Sequence, residues 1–437
     1  MSIVRHRLLR NGSWNLVDQA LSALSNTVLT VMVARSVSAE DFGAFAIAFV
    51  VFGIFIAVTK SVVGQPLQMR FSGADSAELK AAIGRALGAA LLIGLLAACG
   101  MAAVSLLTHQ GVQRALVALA VVLPALLVQD SCRMALFALA RPRGAALIDA
   151  FWTAIMIALL MLLVALGRDD VQWLTIAWGI GAAVSATVGL ALIHVRPAPR
   201  MATSWLREQW DLSRYMFAEY FLGLGAVHLG ILLVGVIATS DAVGALRAAQ
   251  VLLGPLGILG AAAFQFAMPE IARRREIDGR TLSLWGLGVS GALGSVTVAY
   301  VVTLLLVPDH WGTALFGATW AGAAAVLAAM GISSLFSSLG SGPACVLYGI
   351  SRARSTFRIN LAKGPIILTA VVLGTWTTGA VGAAWALALT EAAVLPAWII
   401  TMERAVRSRD LSRRGAVEEP PRGESHQSRR TDERAGI

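Results

Sequence analysis

WGTALFGATWAGAAAVLAAMGISSLFSSLGSGPACVLYGIS, residues 311–351, contains no Asp, Glu, Lys or Arg. Residues 281–308 and 364–390 are equally free of charge. A helix needs about 20 apolar residues to cross the hydrocarbon core of a bilayer, so runs of this kind read as transmembrane helices. The rest of the chain agrees. Of its 437 residues 57% are hydrophobic and 14% charged, with mean hydropathy +0.74. A soluble domain carries roughly 45–50% apolar and roughly 25% charged residues. A water-soluble globule, a disordered chain and a fibrous repeat are therefore excluded, and the predicted fold class is an all-α polytopic membrane protein.

Working outward, hydropathy predicts twelve spans, at about 13–34, 43–60, 84–107, 115–139, 145–166, 172–194, 213–237, 242–268, 283–307, 318–340, 362–378 and 380–402. Links after odd spans are short and poor in charge, whereas those after even spans are longer and rich in arginine. With Arg133 assigned to its nearer, inner side, all of the 35 Lys and Arg residues but Arg35, Arg114, Arg168 and Arg247 fall on one side. Cytoplasmic loops carry that excess, so both termini are predicted to be cytoplasmic in the inner (plasma) membrane, which an even span number permits. The sequence pI of about 10.5 follows from the same loops, which suit the anionic lipids of the inner leaflet; no nucleic acid partner is needed to explain it. Trp14, Trp173, Trp311 and Trp376 sit near span ends, as an aromatic belt would.

The basic N-terminus MSIVRHRLLRNGSWNLVDQ is followed by Asn15, Asp18, Gln19 and Asn26, with no small-residue cleavage site, and reads as a retained first span. Cys99, Cys132 and Cys345 lie singly in apolar runs and form neither a disulfide framework nor a metal motif. The segment VRPAPRMATSWLREQWDLSRY (195–215) places Met201, Trp205, Leu206 and Trp210 at near-helical spacing opposite Arg207 and Glu208, predicting an interfacial amphipathic helix. From about 405 the composition turns to Arg, Ser, Glu, Pro and Gly, too polar to bury a core. The expected domains are a six-helix lobe over 1–196, a second over 197–404 opening with a linker at 197–212, and a disordered basic cytoplasmic tail over 405–437.

The two lobes read as a repeat. Shifting the chain by 201 residues brings Glu219 onto Asp18, Asp241 onto Glu40 and Gly244 onto Gly43; a shift of 211 brings RARSTFRIN (352–360) onto RPRGAALID (141–149). Six spans repeated without inversion imply a pseudo-two-fold axis along the membrane normal.

No phosphate-loop motif is present, so the chain hydrolyses no ATP itself. No large outer loop exists to house a glycosyltransferase. Asp169 and Asp170 read as a solvated turn rather than a metal site, the histidines are scattered, and no catalytic constellation or cofactor motif emerges. Charges embedded in the spans are the positive signal, because each costs at least about 2.5–3.5 kcal/mol at mid-bilayer. Asp18 and Glu219 lie in the inner third of spans 1 and 7, where they could reach inner-loop arginines. Asp130 and Arg133 share one face of span 4, as a self-neutralising pair or as part of a site. Arg247 enters span 8 from the outer side, where its stem could also snorkel to the interface. Glu391 sits near the middle of span 12 with no basic residue within ten positions, and is expected to be neutral or paired across helices.

The run DQALSALSNTVLTVMVARSVSAEDFGAFAIAFVVFGIF (18–55) resembles the opening of bacterial polysaccharide (O-antigen-type) flippases, members of the multidrug/oligosaccharidyl-lipid/polysaccharide exporter superfamily. The shared features are a polar first span ending in Ala34-Arg35, the acidic turn Glu40-Asp41, and Gly43. GALRAAQVLLGPLGIL (244–259) resembles the corresponding start of span 8. The resemblance covers roughly the first 70 residues and span 8. It implies two six-helix lobes around a central cavity that opens alternately to each side, and an undecaprenyl-diphosphate-linked oligosaccharide as the substrate moved outward. The two extra spans expected of the peptidoglycan-precursor branch are absent. Arg133 and Arg247, the only arginines in the middle portions of spans, are the candidates for the diphosphate. Glu391, with Asp18 and Glu219, is the candidate for coupling to H⁺ or Na⁺. Other readings are a cation-coupled multidrug antiporter of the same fold and a non-transporting scaffold that recruits polysaccharide-assembly proteins through its tail. A common twelve-span facilitator ranks last, since its basic motif is missing between spans 2 and 3.

Overall fold

The computed structural model describes residues 21–273, 277–350 and 352–418. Helices dominate because backbone polar groups in lipid must be satisfied within the segment itself. We number those that answer to the twelve spans in order. They are α1 (21–36), α2 (Ala39–Phe71), α3 (Ser76–Ser105), α4 (Gln110–Ala138), α5 (Pro142–Ala165), α6 (Val171–Ile193), α7 (210–237), α8 (Ser240–Arg273), α9 (Gly279–Leu305), α10 (Trp320–Gly349), α11 (353–377) and α12 (380–418). Among the described residues nine continuous helices are long and apolar enough to cross a membrane, and α7, bent by 51°, makes a tenth. The longest of them is two antiparallel spans, α11 and α12, divided at Thr378 and Gly379. Gly379 has φ +63° and ψ −134°, a backbone open essentially to glycine, which makes this turn possible.

Caps set the other boundaries. Asp75 Oδ1 accepts from the amides of Ala77 and Glu78 at 2.9 and 2.8 Å, and Asp278 from that of Thr281 at 3.0 Å. A carboxylate there satisfies amides that the first turn leaves unpaired. Two helices change period. A π turn interrupts α2 at Lys60–Gly64 and another interrupts α7 at Phe221–Gly225. Such bulges re-aim the side chains around them and are frequent at functional sites.

The packing repeats as the 201-residue shift predicts. In the first lobe α4 packs against α2, α3 and α6; in the second, α10 packs against α8, α9 and the α11–α12 hairpin. The lobes meet along α2 and α8, with α7 beside them. Gly43 and Gly244, matched by the shift, lie against one another at this seam. A Cβ on Gly43 would overlap the Ser240 carbonyl, and one on Gly244 would sit 3.2 Å from the Gly43 backbone. Small residues at such crossings let helices approach without a gap.

Two segments differ from the sequence reading. In the linker, Ala202–Glu208 forms a short helix whose Trp205 is fully buried against the first lobe rather than in the interface, while Met201 and Trp210 are exposed. At the C-terminus, α12 runs on to Glu418, past the span end expected at 402. Its polar face hid an apolar one, since Met402, Ala405 and Val406 are buried with Leu282 of α9 in a single cluster. Residues 419–437 lie outside the described residues, as do Asp18 and Trp14. Trp173, Trp311 and Trp376 are exposed near helix ends, where a belt would put them.

Candidate functional site

Arg247 enters the seam from the second turn of α8. Its guanidinium lies 3.8 Å from the Phe49 ring centroid on α2, and its Nη2 reaches Thr30 Oγ1 of α1 at 3.4 Å. Its buried Nε has no hydrogen-bond partner, and no carboxylate pairs with it among the described residues. The side chain therefore points inward between lobes rather than snorkelling. The His228 ring of α7 faces Gly53, one turn along α2 from Phe49, and Tyr220 Oη lies 2.7 Å from His228 Nδ1. Tyr220 also approaches the Gly53 carbonyl of α2 at 3.5 Å. Tyr220 and His228 stand on opposite sides of the α7 π turn, which brings both to one face. Thr30, Phe49, His228 and Arg247 thus line one polar patch at the seam, drawn from both lobes.

Arg133 occupies a different setting. Its Nη2 is 2.9 Å from Asp130 Oδ1 and its Nη1 is 3.7 Å from Asp149 Oδ2 on α5. Asp130 also faces Lys60 Nζ at 3.6 Å, and Gln129 Nε2 donates to Asp149 at 2.9 Å. Among the described contacts, two cations and two carboxylates from α2, α4 and α5 cluster inside the first lobe, with Asp130, Arg133 and Asp149 all buried. Helical spacing revealed the Asp130–Arg133 pair. Asp149, an acid in the first turns of an apolar span, and Lys60, at the π turn, were the missed members. Tyr220 and His228 were missed as well, because a lone histidine carries no spacing signal.

Glu391 is paired across helices. Its Oε1 lies 2.5 Å from Lys363 Nζ on α11, and both side chains are mostly buried at 16% and 17% exposure. Glu219 is exposed and accepts a hydrogen bond from Tyr348 Oη at 3.2 Å. The structure does not bring the sequence candidates together. Arg247 stands at the seam, Arg133 within one lobe, Glu391 within the other, and Glu219 on the surface of α7.

No protein-family model and no curated protein matches the chain. Its architecture defines the class: among the described residues, an all-α polytopic membrane protein whose spans fall into two lobes that meet along α2 and α8. Solved structures share it. An inward-facing multidrug resistance MATE family transporter of the MOP superfamily superposes with TM-score 0.71 at 12% identity, over 91% of this chain and 99% of that one. The lipid II flippase MurJ, in an inward closed conformation, gives 0.69 at 12% identity over 90% and 89%. A Pyrococcus furiosus MOP superfamily transporter, described by a binding pocket of reverse polarity, gives 0.63 at 11% identity over 92% and 96%. At these identities the likeness is one of fold.

Proposed function

We propose that the protein is an alternating-access transporter of the inner membrane, not an enzyme, and that it flips an undecaprenyl-diphosphate-linked oligosaccharide from the cytoplasmic to the outer leaflet. The observation that carries this reading is Arg247. Among the described residues this buried guanidinium has no carboxylate partner, which is costly, and an anionic ligand entering the seam would supply the missing charge and the bond that Nε lacks. The resemblance of residues 18–55 and 244–259 to polysaccharide flippases supports the same cargo. So does a fold shared with a flippase of another lipid-linked precursor. Arg133 is neutralised by two carboxylates, one of them Asp130 on its own helix, and is the weaker candidate for the diphosphate. The Lys363–Glu391 pair is the candidate coupling element for H⁺ or Na⁺, with Glu219 of α7, and Asp18 of the sequence reading, as further candidates. The arginine distribution supports a cytoplasmic side for both termini and the linker.

The second reading, a cation-coupled multidrug antiporter, draws on the equally good match to a MATE family transporter. Reconstituted vesicles distinguish the two. Under the flippase reading, Arg247→Gln abolishes flipping of a fluorescent polyprenyl-diphosphate oligosaccharide, and Arg247→Lys retains part of it. Efflux of amphipathic cations that is unchanged or faster in Arg247→Gln, with no flipping by the parent protein, would establish the antiporter instead.

A further inference from the structure

The α11–α12 hairpin is closed at one end and open at the other. Near the Gly379 turn, Gly374 and Gly382 touch backbone to backbone, leaving no room for a Cβ on either. Toward the far end the helices part around a groove of ≈ 440 Å³. On α11 the groove face is set by Ser355, Arg358, Ile359 and Lys363, at the three- and four-residue intervals of one helical face. On α12 it is set by Ala397 and Thr401, again four apart. Alanine on this wall leaves space that a larger side chain would fill.

Charge divides the groove along its length. Lys363, the deeper cation, is neutralised by Glu391 at 2.5 Å. Arg358 lies five residues nearer the open end, exposed, with no ion pair among the described residues. Arg354, also exposed, stands one turn further out. The groove therefore offers one uncompensated guanidinium with two hydroxyls around it, and an apolar floor running into the membrane. That pattern fits a single phosphodiester monoanion with a hydrocarbon chain attached, and basic pockets between membrane helices bind lipid headgroups of this kind. A diphosphate would bring more negative charge than the free cation at Arg358 balances.

We propose that this groove is a specific site for an anionic phospholipid of the leaflet at the Ser355 end. Its phosphate is held by Arg358 with the hydroxyls of Ser355 and Thr401, and one acyl chain lies along Ile359 and Ala397. The site is separate from the Arg247 seam, and it stands whether or not the proposed cargo is right. Because α11 and α12 also carry the Lys363–Glu391 pair, an occupied groove braces the two helices that hold it.

Native mass spectrometry of the purified full-length protein, titrated with phosphatidylglycerol or phosphatidylcholine, tests the site. The parent protein is expected to retain phosphatidylglycerol preferentially. Arg358→Gln should weaken that retention roughly fivefold, the effect of one cation at a bilayer surface. Ala397→Leu should abolish retention by filling the groove, while its unfolding temperature in lipid-free detergent stays that of the parent, so that loss of binding is not loss of fold. Equal retention of the two lipids, or unchanged retention in Ala397→Leu, overturns the proposal. Displacement by inorganic phosphate alone would reduce the site to a headgroup contact and also refute it. Displacement by undecaprenyl diphosphate at lower concentration than by phosphatidylglycerol would assign the groove to the cargo instead.

Discussion

Arg133 and Arg247 are the same side chain in opposite electrostatic circumstances, and substitutions should separate them. Asp149→Asn or Asp130→Asn leaves the buried Arg133 guanidinium under-compensated, a change that typically costs about 3–5 kcal/mol. Thermal unfolding in detergent should show that loss directly. Arg247→Met removes a buried cation that has no carboxylate partner among the described residues, so its unfolding temperature should equal or exceed the parent's while, under the flippase proposal, flipping is lost. A large drop in stability for Arg247→Met would mean that a partner already satisfies the charge. Glu391→Gln preserves the shape of the Lys363 contact and removes titration. Under the coupling proposal its transport loses the pH dependence of the parent, and an unchanged profile would reduce the pair to structure. Asp130–Arg133 was legible because i and i+3 share a helix face. Lys363 was not seen as the partner of Glu391 because it lies on the preceding helix, and only the depth of a turn at Gly379 decides which residues of two antiparallel helices face each other.

At the scale of elements, what charge-free runs betray is the existence of spans, and what they hide is where a helix bends. Residues 281–308 correspond closely to α9, since nothing within them competes with a straight helix. The π turn at Lys60–Gly64 carries α2 on to Phe71, beyond the expected end near 60, because one extra residue per turn keeps the ladder intact while rotating Lys60 toward Asp130. The linker shows the same limit. Spacing found the apolar face of Trp205, but whether lipid or protein covers such a face is a tertiary fact. Protein does: Trp205 Nε1 donates to the Val62 carbonyl at 3.1 Å, within that π turn. Arg85–Glu208 at 2.7 Å and Arg70–Asp211 at 2.5 Å pin the flanks. Trp205→Phe keeps most of the packing and loses the hydrogen bond, so it should cost about 1 kcal/mol of stability. Trp205→Ala should cost about 3–5 kcal/mol. Fluorescence provides the check on burial, since a tryptophan docked this way should resist aqueous quenchers while Trp210 does not. The end of α12 yields a sharper test. Asp410 accepts from the Gly279 amide at 3.0 Å and Val406 packs in the α9 cluster, so truncation after 404 should destabilise the second lobe, whereas truncation after 418 should leave transport and unfolding temperature unchanged.

For the whole molecule, the decisive property is that each lobe is knit around its own central helix, α4 or α10, while the lobes meet along α2 and α8. Within a lobe, α4 or α10 contacts neighbours along most of its length, whereas between lobes α2 meets α8 around Gly43 and Gly244. A packed lobe has no intermediate arrangements available to it, so under the alternating-access proposal a change of access comes from rotation at the seam. Disulfides can hold each kind of contact separately. A Cβ on Gly230 of α7 would lie 3.6 Å from Val371 Cβ of α11, inside the usual span for a disulfide and within one lobe. A Cβ on Gly235 would lie 3.5 Å from Ile47 Cγ1 of α2, across the seam. In a background with Cys99, Cys132 and Cys345 replaced, the oxidised Gly230→Cys/Val371→Cys pair should transport at close to the reduced rate. The oxidised Ile47→Cys/Gly235→Cys pair should arrest transport, and a reductant should restore it. The comparison is internal, because both bonds restrain α7 and only one of them joins it to the other lobe. Arrest by both would mean that α7 moves within its own lobe, as its 51° bend and π turn would permit, and the rocking of rigid lobes would have to give way to the flexing of one helix. Transport surviving the cross-seam bond would place the moving contact elsewhere than α2 and α7.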